Sequence, residues 1–299
     1  MLDYRIRTFL TLCETLNYRR TGEALGLSQP AVGHQIHTLE DEYGCRLFIY
    51  DGRRLSPTPQ ADRLAEYARA AVYNQQQLLA ALRADGARTV RVGATKTIGE
   101  YVAAEAFSRY AQRTQGGFCV TVDNTETLLR MLEREELDFA LVEGYFPRRD
   151  YGCLLCSQEP YVAVCARDEP LPASPCRLED LLDRRLILRE PGSGTRCILE
   201  KYLEARSLSV EDFPRRTELG NLGAIKALVA RGCGITFLYQ RAAQAELDAG
   251  TLRCIPLADL SITHDFSFIW RRDSIFASEY RQVFSDLLGR SLPAGEETP

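Results

Sequence analysis

Ala24-Leu25-Gly26-Leu27-Ser28-Gln29-Pro30-Ala31-Val32-Gly33-His34-Gln35-Ile36 reads as a turn running into a helix. Gly26-Leu27-Ser28 makes the turn. Ser28 is an N-cap, and Pro30 falls in the first helical turn, where its missing N–H costs nothing. The helix predicted from here runs to about Tyr43 and stops at Gly44. Val32, Ile36 and Leu39 share its inner face at i, i+4 and i+7, which leaves Gln29, Gly33 and His37 facing outward. Working outward, residues 4–16 carry an apolar stripe of Ile6, Phe9, Leu10, Cys13 and Leu16, and a short helix is expected over 19–25. After Gly44, two extended runs, 47–50 and 55–57, flank the turn signal Asp51-Gly52. The order is that of a winged helix-turn-helix over residues 1–58.

The first turns of the second helix in such a motif meet base edges in the major groove. That assigns Gln29, Pro30, Gly33, His34 and His37 to reading, with Ser28, His34 and Gln35 as phosphate contacts and Arg53 and Arg54 at the wing tip. For each polar residue the alternative is a solvated helix face. Residues 1–58 hold seven Arg and seven Asp or Glu. A head of zero net charge neutralises few phosphates, so one head alone should bind weakly. Thr58-Pro59 starts a long helix to about residue 88, with an aliphatic and small-residue stripe from Leu64 to Leu82. Its length favours pairing with a partner helix over packing on its own domain. Two or four tethered heads would restore affinity through effective concentration.

The spacing Ala24-Leu25-x-Leu27-Ser28-Gln29-Pro30-Ala31-Val32, then Gln35-Ile36, Leu39-Glu40 and Gly44-x-x-Leu47-Phe48, resembles the LysR-type transcriptional regulators. The resemblance spans residues 2–290. It implies a homodimer or homotetramer on double-stranded promoter DNA. It also implies an α/β architecture in three parts: winged helix-turn-helix, long linker helix, and a two-lobed periplasmic-binding-protein-like effector domain. The sequence departs from the family pattern at Thr21-Gly22, Gly33, His34, Tyr50 and Ala61. Since Gly33 and His34 lie on the reading helix, no DNA sequence preference carries over.

From residue 89 strands and helices alternate, the rhythm of a parallel α/β sheet. Strands are expected at 89–93, 118–122, 138–142, 161–166, 185–188 and 234–237. Helices are expected at 97–114, 126–135, 196–205, 222–230 and 274–288. The expected effector domain is 89–292, with one lobe at 89–161 plus 265–292 and the other at 162–264. Residues 293–299 read as a disordered tail. Two strand-to-helix junctions look like anion sites: Gly93-Ala94-Thr95-Lys96-Thr97 and Glu190-Pro191-Gly192-Ser193-Gly194-Thr195-Arg196. Helix starts offer free N–H groups and a positive dipole end. Ligands of such sheets sit at the carboxyl ends of strands. The expected effector contacts are therefore Thr95, Lys96, Thr97, Gly192, Ser193, Gly194 and Thr195. Glu143, Asn221 and Thr236 join them from other element ends. The alternatives are that the two segments are ordinary helix caps, and that Glu143 forms a salt bridge with Arg196. The stretches 189–196 and 218–226 resemble the branch that includes sulfur-assimilation and carbon-fixation regulators. That implies a small anion or organic acid as effector.

The 299 residues are 45% hydrophobic and 26% charged, with net charge -4 and no apolar run of membrane-spanning length. The start of the chain has no secretory pattern, so the ten cysteines are expected to be reduced, in the cytoplasm. Cys153-x-x-Cys156 has no second pair, and His34, His37 and His264 do not sit close to it in sequence to supply zinc ligands. No metal and no cofactor are expected. Cys197 sits where a helix start would favour its thiolate, which makes redox sensing a minor alternative. No nucleophile–base spacing or P-loop ending appears, so an enzyme is not expected.

Overall fold

A computed structural model gives the fold and describes residues 3–83, 89–114, 116–171, 175–258 and 260–289. The expected linker end at 84–88 and the tail at 293–299 lie outside the described residues. The chain divides into two compact units, residues 1–85 with 273–275 and residues 86–272 with 276–299.

The first unit follows the predicted order: α1 (Tyr4–Thr15), α2 (Tyr18–Leu25), α3 (Gln29–Tyr43), β1 (Phe48–Tyr50), β2 (Leu55–Pro57) and α4 (Pro59–Arg83). Each boundary has a local cause. The side chains of Asp3, Asn17 and Ser28 accept hydrogen bonds from backbone N–H groups in the first turns of α1, α2 and α3. Gly26 and Gly44 close α2 and α3 at φ 68° and 63°, a left-handed conformation that favours glycine. Ile6, Phe9 and Leu12 of α1 pack with Val32, Ile36 and Leu39 of α3. Glu40 fastens the wing to α3. Its buried carboxylate accepts from Leu47 N (2.8 Å), Phe48 N (3.3 Å) and Arg46 Nη1 (2.7 Å). At the hairpin tip the Asp51 carboxylate accepts from the backbone N–H of Arg53 and Arg54. Thr58 caps α4, its hydroxyl accepting from Ala61 N at 3.2 Å. Ala61, Ala65 and Ala68 then bury against the head's own core. Beyond them Leu78, Leu79 and Leu82 stand exposed. The near half of α4 thus packs on its own head, and the expected break at 58/59 falls inside one packed unit.

The second unit contains β3 (Val90–Thr95), α5 (Lys96–Tyr101), α6 (Ala104–Arg113), β4 (Phe118–Asp123), α7 (Thr125–Glu133), β5 (Phe139–Glu143) and β6 (Tyr151–Ala166). It continues with β7 (Arg185–Leu188), α8 (Gly194–Glu204), β8 (Arg215–Glu218), α9 (Leu222–Ala230), β9 (Thr236–Tyr239), α10 (Gln240–Asp248), β10 (Leu252–Cys254), β11 (Ile262–Arg271) and α11 (Ala277–Leu288). Seven strands form one sheet in the order β10-β6-β11-β5-β3-β4, with β9 paired to β6. β3 pairs in parallel with β4 and β5, while β11 runs antiparallel to β5 and β6. β7 and β8 form a separate parallel pair.

Three expectations change. β6 starts at Tyr151 rather than 161 and β11 pairs along most of it, so the expected lobe boundary at 161/162 falls inside a strand. Two antiparallel strands crossing that boundary carry one apolar cluster through it, from Val92 and Phe139 to Leu186 and Phe237. The expected helix 97–114 is two helices. Ala103 N reaches back to Ile98 O (2.7 Å), and both residues are buried, so the chain bends at Val102 to keep each against the core. The apolar stripe continues through that bend, which is why periodicity hides it. Finally, the strand expected at 234–237 lies at 236–239.

Candidate functional site

On the head, α3 is exposed where it was expected to read DNA. Ser28, Gln29, Pro30, His34 and His37 are exposed, and Gly33 is half-buried. Ser28 also caps the helix, its hydroxyl accepting from Ala31 N at 3.3 Å. Gln35 is turned inward: its amide oxygen accepts from the Thr8 hydroxyl at 2.6 Å. Of its side chain, the amide nitrogen is left as the donor for a phosphate. His37 lies 3.6 Å from Asp41. A groove beside the start of α3 is lined by Asn17, Arg19, Gln29, Tyr50, Arg53 and Arg54. It joins the two expected patches, Gln29 and the wing arginines, and adds Arg19 and Tyr50. Sequence reading counted Arg19 only as charge, since a turn of α2 facing the wing has no linear signature.

In the second unit, the carboxyl ends of β3 and β5 come together with the segments after β7 and β8. Glu143, the last residue of β5, is 1% exposed. Its carboxylate accepts from the hydroxyls of Thr95 (2.5 Å), Thr97 (2.9 Å) and Thr195 (2.9 Å). These are three of the hydroxyls expected to hold an effector. Burial pushes the Glu143 carboxyl up, against the pull of those hydrogen bonds and of the Arg189 charge. The expected alternative of a Glu143–Arg196 salt bridge is not formed. Arg196 instead pairs with Glu200 and Glu218, both at 2.6 Å.

Lys96 donates to Glu190 Oε1 (3.1 Å) and to Gly220 O (2.7 Å), so it bridges the segments after β3, β7 and β8. Glu190 also receives two hydrogen bonds from Arg189. Burial pushes the Glu190 carboxyl up, but Arg189 and Lys96 outweigh it and bring it to about 2. Arg189 was missed by the sequence reading. It is 3% exposed, and its Nη1 is buried with no hydrogen-bond partner among the described residues. The Tyr239 hydroxyl, at the end of β9, is likewise buried and unpartnered among them. Arg189 is in electrostatic reach of Glu143, Tyr101 and Tyr161, and Tyr239 of Glu143 and Tyr161. An Arg directly after a strand is unremarkable in sequence; only its burial marks it.

The glycines serve internal packing. Gly192 has φ 84°, and a Cβ there would sit 2.5 Å from the Glu126 carboxylate. A Cβ on Gly194 would collide with Glu143 O, and one on Gly144 (φ 88°) would lie 2.7 Å from Gly194 Cα. The close approaches at Gly192 and Gly194 are made by the end of β5 and the start of α7. Ser193 caps α8, with its hydroxyl 3.5 Å from Arg196 N. Asn221 is exposed and caps α9, accepting from Ala224 N at 2.8 Å. Of the two helix-cap alternatives, Ser193 meets that at 190–196, whereas at 93–97 Thr95 makes no side-chain cap hydrogen bond.

Thr236 was placed at the wrong end of its strand. It opens β9 opposite Val164, whereas the carboxyl end is Tyr239, opposite Tyr161. Three residues of strand separate them by about 10 Å. Cys197 also departs from expectation. Burial pushes its thiol up, with Lys201 opposing, so its helix position does not yield a ready thiolate. Among the described residues no group of His, Cys, Asp and Glu could hold a metal, and no helix is long and apolar enough to cross a membrane.

Comparison with known proteins bears on both units. The family model for the bacterial regulatory helix-turn-helix protein, lysR family, matches residues 4–62, and that for the LysR substrate binding domain matches residues 83–292. The transcriptional regulator YeiE of Escherichia coli, itself uncharacterized, is 30% identical over 272 residues, covering 89% of this chain and 90% of its own. Full-length LysG of Corynebacterium glutamicum, solved with bound effector Arg, superposes with a TM-score of 0.66 at 16% identity, covering 98% of this chain and 100% of its own. The CcmR regulatory domain of Synechocystis PCC6803, in complex with 2-PG, gives 0.60 at 21% identity, covering 68% and 96%. With both of its units matched in order by the family's two models, the chain belongs to the LysR family: it is a DNA-binding transcriptional regulator with an effector-binding domain.

Proposed function

We propose that this regulator reads promoter DNA with the start of α3, as a homodimer or homotetramer, and responds to a small anionic or organic-acid effector held between the β3–β5 and β7–β9 segments. On the DNA side, Gln29, Pro30, Gly33, His34 and His37 face bases. Ser28, the Gln35 amide nitrogen, Arg53, Arg54 and Arg19 meet the backbone. Gln29 is suited to a bidentate contact with adenine. The exposed Leu78, Leu79 and Leu82 of α4 support pairing with a second copy, which supplies the additional head that a domain of zero net charge needs. Such a protein works in the cytoplasm, with the DNA.

The observation that carries the effector reading is the buried Nη1 of Arg189 with no partner among the described residues. A guanidinium N–H out of water without an acceptor is costly, and an anionic ligand would relieve it. The site we assign also takes in Lys96, Thr95, Thr97, Glu143, Thr195 and the α8 start at Gly192, Ser193 and Gly194. Effector binding there would shift the equilibrium between two assemblies with different head spacing. The test is a salt-controlled titration of purified protein on the DNA upstream of its own gene. Gln29→Ala should weaken specific binding by about tenfold or more while leaving the salt slope unchanged. Equal binding by both proteins would refute the assignment of Gln29.

A further inference from the structure

We infer that the effector is a zwitterion, a small α-amino acid, whose carboxylate meets Arg189 and whose ammonium meets Glu143. The inference rests on the effector site proposed above and adds the ligand's second charge. The three threonine hydroxyls that would cradle a ligand carboxylate already donate to a carboxylate of the protein. A second anion brought to those hydroxyls would face Glu143 across a few ångströms of dry interior, where like charges repel strongly. A simple anion is therefore a poor occupant of the hydroxyl cradle. Its place is at Arg189, whose Nη1 has no acceptor among the described residues.

Glu143 itself feels the Arg189 charge but has no cation bonded to it. It is 1% exposed, it has three neutral donors, and among the described residues none of its hydrogen bonds comes from a cation. Oε1 accepts two hydrogen bonds and Oε2 one, and a carboxylate oxygen can accept two. An ammonium donating to Oε2 would supply the missing charge-assisted bond; a ligand hydroxyl would fill the geometry without the charge. Charge balance points the same way. Arg189 and Lys96 stand against Glu143 and Glu190, with Arg189 and Lys96 both bonded to Glu190. Within those four the cations have no surplus, so a ligand carboxylate at Arg189 is better tolerated when the ligand also brings a cation to Glu143. The buried, unpartnered Tyr239 hydroxyl, beside the ring of Tyr161, offers a donor for a carboxylate or an acceptor for an ammonium.

The experiment measures thermal shift and calorimetric affinity of the full-length protein with matched probes. These are the standard α-amino acids, the corresponding carboxylic and 2-hydroxy acids lacking the amine, and inorganic phosphate and sulfate. At least one amino acid should bind, and its des-amino and 2-hydroxy counterparts should bind about tenfold or more weakly. Glu143→Gln should lose about tenfold of the amino acid's affinity while leaving its des-amino counterpart unaffected. Arg189→Ala should weaken both. The amine comparison uses wild-type protein, so it decides the question even if a variant misfolds. The inference is overturned if no amino acid binds, or if des-amino acids, phosphate or sulfate bind as tightly as the best amino acid. If a ligand binds and neither Arg189→Ala nor Lys96→Ala alters it, the site itself is misplaced, and the effector reading falls with the inference.

Discussion

The two helix starts to which we assign recognition, those of α3 and α8, are built alike and differ in what surrounds them. Each has a serine N-cap, Ser28 and Ser193, and each was found from a cap and turn pattern in the sequence. Around α3 the side chains point out: Gln29, His34 and His37 are exposed, His37 with Asp41 at 3.6 Å on its own helix. Around α8 they point in: Thr195 is buried and donates to Glu143, and Gly194 has the Glu143 backbone against it. A face that reads a long polymer can stay hydrated until its partner arrives. A site for a small molecule must be dry and preorganised, so the protein satisfies most of its polar groups and leaves a few open. In the site we propose, Arg189 Nη1 and Tyr239 Oη are the atoms buried without a hydrogen-bond partner among the described residues.

Substitutions can break or sharpen the contrast. The largest effect is expected at Glu40, which holds the wing to the reading helix from inside. Glu40→Ala leaves the N–H groups of Leu47 and Phe48 without their acceptor and should destabilise the head by about 3 kcal/mol in a chemical denaturation series. A loss below about 1 kcal/mol would mean that water replaces the carboxylate and the wing is not internally fixed. Exchanging the wing arginines comes next. Arg53→Ala with Arg54→Ala should reduce DNA affinity on all sequences alike and lower the salt slope by about two. A sequence-dependent loss would place them on bases instead. Gly33→Ala is expected to stabilise the head by about 0.5–1 kcal/mol, because no atom lies within 4 Å of the added methyl. Destabilisation would show that α3 is not a regular helix at that point.

The last prediction is a slope. Burial raises the Glu143 carboxyl above its ordinary value of 4.5, so the folded protein binds more protons than the unfolded chain between that value and the raised one. Stability from this group is then full below 4.5 and falls as pH rises through the window. Glu143→Gln should remove that fall, visible as a flatter dependence of melting temperature on pH. An unchanged profile would mean that the carboxyl is not effectively desolvated.

How much was legible in sequence follows the same contrast. The head was read almost residue by residue, because caps, glycine stops and i, i+4, i+7 spacing are local. Ser28, Gly44 and Thr58 act as their types require. The effector unit was legible as a rhythm and at its motif-bearing helix starts, but less so where long-range pairing decides. β6 was half missed because its first ten residues become a strand by pairing with β11. Thr236 was misplaced because a shift of two residues in a short strand moves its carboxyl end. Arg189 escaped notice because burial, rather than residue type or spacing, sets it apart. Glycine was over-read: Gly192 and Gly194 admit the chain's own backbone and side chains.

Hydrogen exchange on full-length protein, alone and with its promoter DNA, tests most directly the claim that α3 reads from outside while the α8 site is satisfied from within. The account predicts slowed exchange across 28–38 and 50–56 on adding DNA. In the free protein it predicts segments 141–145 and 189–197 already well protected. Unchanged exchange across 28–38 in saturating specific DNA, or rapid exchange across 189–197 in the free protein, would contradict it.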